Sequence, residues 1–242
     1  MKLFCIGCGP GDPELLTIKA VNLIKSAEIV FAPTARENRP SLALTIVKRL
    51  LKKSAKTINL IFPMIKDKEL LKDYWKRNAK QIADAVRSGK KVIYLTVGDP
   101  ALYSTWIYIH RELEQYHKDI EIDIVPGIAS FFAFAAEAKI SLVEGDETLA
   151  IVPACYDLYK IKKTAMCSDT IIFLKDGRYF SSVINMLMEE GFPEDSMIGI
   201  AQDISSEGQV MKTIRLSDLH GRKSIGQKYF SIMVAKKVND RR

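Results

Sequence analysis

The sequence predicts an α/β fold divided into two units, and three observations lead there. Short β-rich runs alternate with longer amphipathic stretches, which is the grammar of βαβ units and parallel sheets. The alternation pauses at the polar stretch His117-Lys118-Asp119-Ile120 and then begins again. The chain has 242 residues, 48% of them hydrophobic and 27% charged, which suffices for a real core and reaches the length at which chains tend to split into domains. The expected division is therefore 1–117 and 118–242.

The elements follow in order. Residues 2–6 contain Leu3-Phe4-Cys5-Ile6, a buried strand. A glycine-rich turn leads from it into a helix over 13–27, with Asp12 as N-cap, Pro13 in the first turn and Glu14 facing the positive helix end. A strand over 29–32, a helix over 41–52 and a strand over 57–62 continue the alternation. The helix over 69–88 carries Tyr74, Trp75 and many lysines, the pattern of an amphipathic helix with one solvated face. A strand over 91–97 and a helix over 101–116 close the first half. The second half is richer in strands: 121–125, 148–153, 170–174, 197–201 and 230–235, with helices over 128–138 and 180–190. The basic tail 236–242 has nothing to bury and is expected to fray.

Composition excludes several classes. The longest nearly apolar run, 128–138, contains Glu137 and falls short of the ~20 residues of a membrane span. Gly7, Gly9, Pro10 and Gly11 interrupt the first apolar stretch before a leader could form. A cytoplasmic chain with reduced thiols at Cys5, Cys8, Cys155 and Cys167 is expected. Cys5 lies inside a strand and the other cysteines lack metal-ligand spacing, so no metal is expected. His110, His117 and His220 form no constellation. The formal charge of +7, from 36 Lys and Arg against 29 Asp and Glu, favours an anionic partner.

The chemistry concentrates in three strand-to-helix turns. The first is Gly7-Cys8-Gly9-Pro10-Gly11-Asp12. The second is Gly98-Asp99-Pro100, and the third is Val125-Pro126-Gly127-Ile128-Ala129-Ser130. All sit at carboxyl ends of strands, where open α/β sheets bind ligands. The first turn does not fit the dinucleotide fingerprint, because Asp12 stands where the third glycine belongs and no acid closes the second strand. The common methyltransferase loop fails too, with Cys5 in place of its acid. A tight turn without ligand remains open for each loop taken singly. Arg36, Arg39, Lys175 and Arg178 fall in loops and suit pairing with carboxylates.

In order and spacing, residues 7–20, the Gly98-Asp99-Pro100 turn and Val125-Pro126-Gly127-Ile128 resemble the tetrapyrrole (corrin/porphyrin) methylase superfamily, over nearly the whole chain. Residues 98–105 and 143–147, with Ser41-Leu42-Ala43, are most similar to its precorrin-2 / cobalt-factor II C20-methyltransferases. The resemblance implies two α/β domains with a cleft between them, a homodimer, and S-adenosyl-L-methionine bound in that cleft. It implies cofactor contacts at Gly98, Asp99, Leu102, Ala129, Ser130, Lys175 and, more loosely, Ile204. Gly7, Gly9, Pro10, Gly11 and Asp12 would line a trough for the tetrapyrrole, with Arg36 and Arg39 for its carboxylates. Asp99, Tyr103 or water would accept the proton that the methylated ring carbon loses.

Two rivals stand beside this reading. One is a superfamily methylase acting on ribosomal RNA or on a modified histidine of an elongation factor. The other is a non-catalytic nucleotide-binding module. The basic residues look scattered along the sequence, so neither nucleic acid nor membrane is expected as a partner. A polycarboxylate tetrapyrrole would instead draw the basic excess to the trough beside residues 7–12.

Overall fold

Five parallel strands form the sheet of the first unit, Met1–Ala129: β1 (Lys2–Gly7), β2 (Ile29–Thr34), β3 (Lys56–Ile61), β4 (Val92–Thr96) and β5 (Glu121–Val125), in the order β3-β2-β4-β1-β5. The computed structural model describes residues 1–37, 39–153, 158–175, 179–190, 192–219 and 231–238. Connections from β1 and β2 run toward the β3 edge, and those from β3 and β4 run toward the β5 edge. Right-handed crossovers therefore place α1 (Ile18–Ser26) and α2 (Leu42–Val47) on one face, and α3 (Lys68–Arg87) and α4 (Trp106–Tyr116) on the other.

The two cores follow from strand alternation. Leu3, Phe31, Val92 and Tyr94 pack with Ile82, Trp106 and Ile109. Their sequence neighbours Val30, Ile93 and Leu95 pack on the opposite side with Ile24 and Ile46. β1 and β4 are adjacent, yet their chains leave in opposite directions. Their carboxyl ends form the topological switch point where such sheets hold ligands.

The second unit, Ser130–Arg242, has a mixed sheet in the order β6-β7-β10-β8-β9. Its strands are β6 (Leu149–Pro153), β7 (Thr170–Leu174), β8 (Met197–Gln202), β9 (Val210–Arg215) and β10 (Ser231–Lys236), and only β6 and β7 pair in parallel. Its helices are α5 (Ser130–Ala138), α6 (Leu158–Cys167) and α7 (Phe180–Glu189). α5 seats Phe134 against β8, and a Cβ at Gly199 would lie 2.1 Å from the Phe134 ring. That contact is why β8 carries a glycine at its centre.

Several expectations change. The division after residue 117 is displaced, because β5 pairs with β1 from Lys2↔Glu121 to Ile6↔Val125 and belongs to the first sheet. The helix expected over 13–27 is a 3-10 turn, Pro13–Leu15, followed by α1, because Leu16 and Thr17 are extended and Thr17 caps the second start. The helix expected over 101–116 begins only at Trp106, whose N–H is accepted by the Ser104 hydroxyl at 3.1 Å. α6 and β9 were not expected. The parallel pair β6 and β7 requires a crossover, which α6 supplies, while β9 is an edge strand with weak alternation. His220, Arg178, Cys155, Phe230 and the tail 239–242 lie outside the described residues.

Candidate active site

The three glycine turns of the first unit meet at the switch point and are joined backbone to backbone. Gly9 and Gly98 form a two-way bridge: Gly98 N–H donates to Gly9 O at 2.7 Å and Gly9 N–H to Gly98 O at 3.2 Å. Both have φ of +69°, a conformation that glycine adopts without steric cost. Cys8 N–H adds a bond to Thr96 O at 2.8 Å. The third turn closes in equally tightly. A Cβ at Gly7 would lie 2.6 Å from Gly127 N, and one at Gly127 would lie 2.3 Å from Gly98 O. Those two glycines are needed for close approach, which spacing alone does not reveal.

Asp99 fastens the second turn to the third. Its Oδ1 accepts the Ala101 N–H at 2.7 Å and its Oδ2 accepts the Gly127 N–H at 2.9 Å. Both carboxylate oxygens are thus committed to the backbone. Asp12 has a smaller task, accepting the Glu14 N–H at 2.8 Å as cap of the 3-10 turn. Around Gly98 the space is open on one side, since a Cβ there would meet nothing within 4 Å. A ligand can approach the main chain at that point, which is the kind of cradle that a bound nucleoside requires.

The rest of the second turn is pinned from below. Tyr94 Oη bonds Thr105 Oγ1 at 2.9 Å and Thr96 Oγ1 bonds Ser104 Oγ at 2.8 Å. Leu102 N–H closes on Asp99 O at 3.3 Å. Between these anchors Tyr103 is held at φ +48°, a left-handed conformation that costs a non-glycine residue about 1 kcal/mol or more. The residue is 44% exposed. Partial burial pushes its phenol above the ordinary tyrosine value, so it stays protonated at neutral pH and can donate.

Other expected residues have distinct settings. The Thr34 hydroxyl at the end of β2 shares its one hydrogen between the carbonyls of Arg36 and Arg39, at 3.1 and 3.0 Å, which folds their loop back while both side chains remain exposed. Pro10 is buried, and Gly11 is half-buried beside Asp12. Ala129 ends the first unit and Ser130 opens α5 in the second. Lys175 follows β7 at φ +65°, and buried Ile204 follows β8 between Asp203 and Ser205, both left-handed. Three non-glycine left-handed residues after β7 and β8 mark those loops as strained.

The remaining candidates do not assemble. Among the described residues no three His, Cys, Asp or Glu side chains form a metal site. Cys5 and Cys8 are fully buried, and burial pushes both thiols up, Cys8 to about 12. His110 stacks on Trp106, and His117 Nδ1 faces Arg87 Nη2 at 3.3 Å. Among the described residues no helix is long and apolar enough to cross a membrane. The basic excess is divided: residues 1–129 hold 21 of the 36 Lys and Arg and 14 of the 29 Asp and Glu, with Arg36, Arg39, Lys66 and Lys68 exposed after β2 and β3 and a second exposed group before β3 and β4.

Comparison with known proteins speaks to the family and the fold. The family model described as Tetrapyrrole (Corrin/Porphyrin) Methylases matches residues 2–220. The chain is 34% identical over 220 residues, 90% of each chain, to a probable cobalt-precorrin-2 C(20)-methyltransferase of Methanocaldococcus jannaschii. It is 31% identical over 197 residues to the cobalt-precorrin-2 C(20)-methyltransferase of Salmonella typhimurium, covering 81% of this chain and 82% of that one. Among solved structures, a cobalt precorrin-4 methyltransferase aligns with a TM-score of 0.75 at 24% identity, over 97% of this chain and 94% of that one. A uroporphyrin-III C-methyl transferase from Thermus thermophilus, complexed with S-adenyl homocysteine, aligns with a TM-score of 0.70 at 18% identity, over 98% and 97%. The last two comparisons speak to fold, and with the match across residues 2–220 they lead to one conclusion: this chain belongs to the tetrapyrrole (corrin/porphyrin) methylases.

Proposed function

We propose that this protein is a methyltransferase of cobalamin biosynthesis that moves a methyl group from S-adenosyl-L-methionine to C20 of precorrin-2 or cobalt-factor II. The observation that carries the reading is the junction of Gly9, Gly98, Asp99 and Gly127, a rigid backbone platform with open space above Gly98. Its support beyond geometry is the resemblance to C(20)-methyltransferases over nine-tenths of the chain.

When bound, the cofactor supplies an electrophilic methyl on a sulfonium. The chain's own contribution is alignment and exclusion of water, because an in-line displacement that disperses positive charge needs no strong base. Gly98 and Leu102 offer main chain and an apolar side to the cofactor, and Ala129 and Ser130 a second wall. Lys175 and Ile204 enter through the resemblance alone. Asp99 is a positioning residue, since both oxygens already hold the loops. Tyr103 keeps its proton and offers the bound ligand a hydrogen bond, while the proton that leaves the ring carbon passes to water. Gly7, Gly9, Pro10, Gly11 and Asp12 border the tetrapyrrole, and Arg36 and Arg39 pair with its carboxylates. We place the enzyme in the cytoplasm as a homodimer, a state that light scattering reads directly.

Anaerobic incubation with S-adenosyl-L-methionine and either precorrin-2 or cobalt-factor II, followed by mass spectrometry, tests the reading. One added methyl on either substrate is expected, and the preferred substrate identifies the natural one. No methylation of either rejects the proposal.

A further inference from the structure

Cations converge on one end of the first unit without carboxylate partners, and Lys52 among them donates from its Nζ to Ser26 O at 3.4 Å. α1 ends beside Lys25, α2 leads into Lys48 and Arg49, and the approach to β3 adds Lys52, Lys53 and Lys56. Lys90 and Lys91 precede β4, and all eight of these side chains are exposed. β3, β2 and β4 start side by side here, and the backbone joins them. Lys56 N–H donates to Glu28 O at 2.8 Å and Glu28 N–H to Lys91 O at 2.9 Å. Glu28 is the single acid in these connections, and its carboxylate already accepts the Lys91 N–H at 2.8 Å. Among the described residues, no carboxylate lies within the 4.0 Å of an ion pair from any of the eight cations. The other half of the same end is neutralised, with Lys2 on Glu121 and Arg87 on Asp119, each at 2.7 Å.

Like charges crowded without counterions repel one another, so an external anion stabilises this end. Its chemistry narrows the choice. Seven of the eight cations are lysines, compact point charges without the fixed fork that reads one phosphate or base edge. No aromatic residue stands in residues 48–56 or 88–91, which removes the stacking platform of single-strand binders. Lys25 and Lys48-Arg49 stand in the last turns of helices packed on the sheet and the rest in strand starts and short connections, so this end presents no free helix or ribbon to enter a duplex groove. Leu50 and Leu51 lie half-buried between Arg49 and Lys52, leaving some apolar surface amid the charge.

We propose that this end of the first unit docks electrostatically on an anionic lipid surface. It lies at the opposite ends of the strands from Gly98 and Asp99, so docking leaves the candidate active site open. The absence of a spanning segment does not bear on it, because a charge-held surface needs none.

Co-sedimentation of the full chain with vesicles of phosphatidylcholine containing about 30% phosphatidylglycerol is the test, with pure phosphatidylcholine as the neutral arm. Binding is expected on the anionic vesicles alone, and about tenfold weaker when salt rises from about 0.1 to about 0.5 M. Each lysine removed costs roughly fivefold, so Lys52→Ala/Lys53→Ala/Lys56→Ala is expected to bind roughly 100-fold more weakly. The matched triple Lys72→Ala/Lys76→Ala/Lys80→Ala on α3 carries the same net charge and is expected to stay within about threefold. Far-UV circular dichroism checks that both triples are folded. Equal loss in the two triples, retention on pure phosphatidylcholine, or tighter binding to duplex RNA than to anionic vesicles overturns the proposal. None of these readouts depends on methyl transfer, so failure here and failure of the catalytic reading are distinct.

Discussion

Replacing Asp99 separates fastening from chemistry. The Asp99→Ala variant removes two charge-assisted hydrogen bonds, one to the exposed Ala101 N–H and one to the part-buried Gly127 N–H. The exposed bond is worth about 1 kcal/mol and the part-buried one about 1.5–3 kcal/mol, since the Gly127 N–H is left without an acceptor. The expected loss is therefore about 2.5–4 kcal/mol. Asp99→Asn keeps one acceptor oxygen but turns an amide toward the other N–H, so about half that loss is expected. Asp12→Ala gives up one cap bond and is expected to cost about 1 kcal/mol. Urea unfolding ranks the three variants, and hydrogen exchange at the Gly127 amide reports the lost acceptor directly. Calorimetry with S-adenosylhomocysteine completes the set, with Asp99→Ala weakening cofactor affinity more than Asp12→Ala does. An Asp99→Ala protein with unchanged stability, unchanged Gly127 exchange and unchanged turnover refutes the fastening role.

Four further outcomes are expected. Gly127→Ala forces a Cβ to 2.3 Å from Gly98 O and is expected to cost about 3 kcal/mol or more, read by urea unfolding. Gly98→Ala meets nothing within 4 Å, so stability should fall only by the left-handed penalty of about 1–2 kcal/mol. Isothermal titration should nevertheless show at least about tenfold weaker cofactor binding, because the new methyl stands where the ligand approaches. Gly199→Ala drives a methyl into the Phe134 ring, and Phe134→Leu in the same chain is expected to restore about 1–2 kcal/mol of the loss. The paired Arg87 guanidinium holds the Asp119 carboxyl down at about 2. A depressed carboxyl stabilises the fold above the unfolded value of about 4, and that contribution fades as pH falls through about 2. In Arg87→Ala, carboxyl carbon NMR should find Asp119 back in the ordinary range.

Much of the fold was legible in the sequence because its signals are local. The buried strands 2–6 and 91–97 and the periodic helix over 69–88 read directly from hydrophobic spacing. The three turns announced themselves through glycine, aspartate and proline. What sequence did not reveal depends on contacts between distant residues. β5 opens after a polar stretch and looks like a new domain, yet its partner is β1, more than a hundred residues earlier. The helix expected from residue 101 fails because Thr96 and Ser104 bond across the turn and hold Tyr103 in a left-handed conformation. The Gly127 N–H that occupies one Asp99 oxygen lies on another turn, 28 residues on, where local spacing does not reach it. The basic residues looked scattered because Lys25, the 48–56 segment and Lys90 meet only where three strands start together.

Methyl transfer to C20 of a corrin precursor can be followed with S-adenosyl-L-methionine carrying a carbon-13 methyl group. After a single anaerobic turnover with precorrin-2 or cobalt-factor II, carbon-13 NMR of the isolated product locates the label. One labelled methyl, attached at C20, is expected. A label at any other ring carbon, or none on either tetrapyrrole from a protein that binds the cofactor, contradicts transfer to C20.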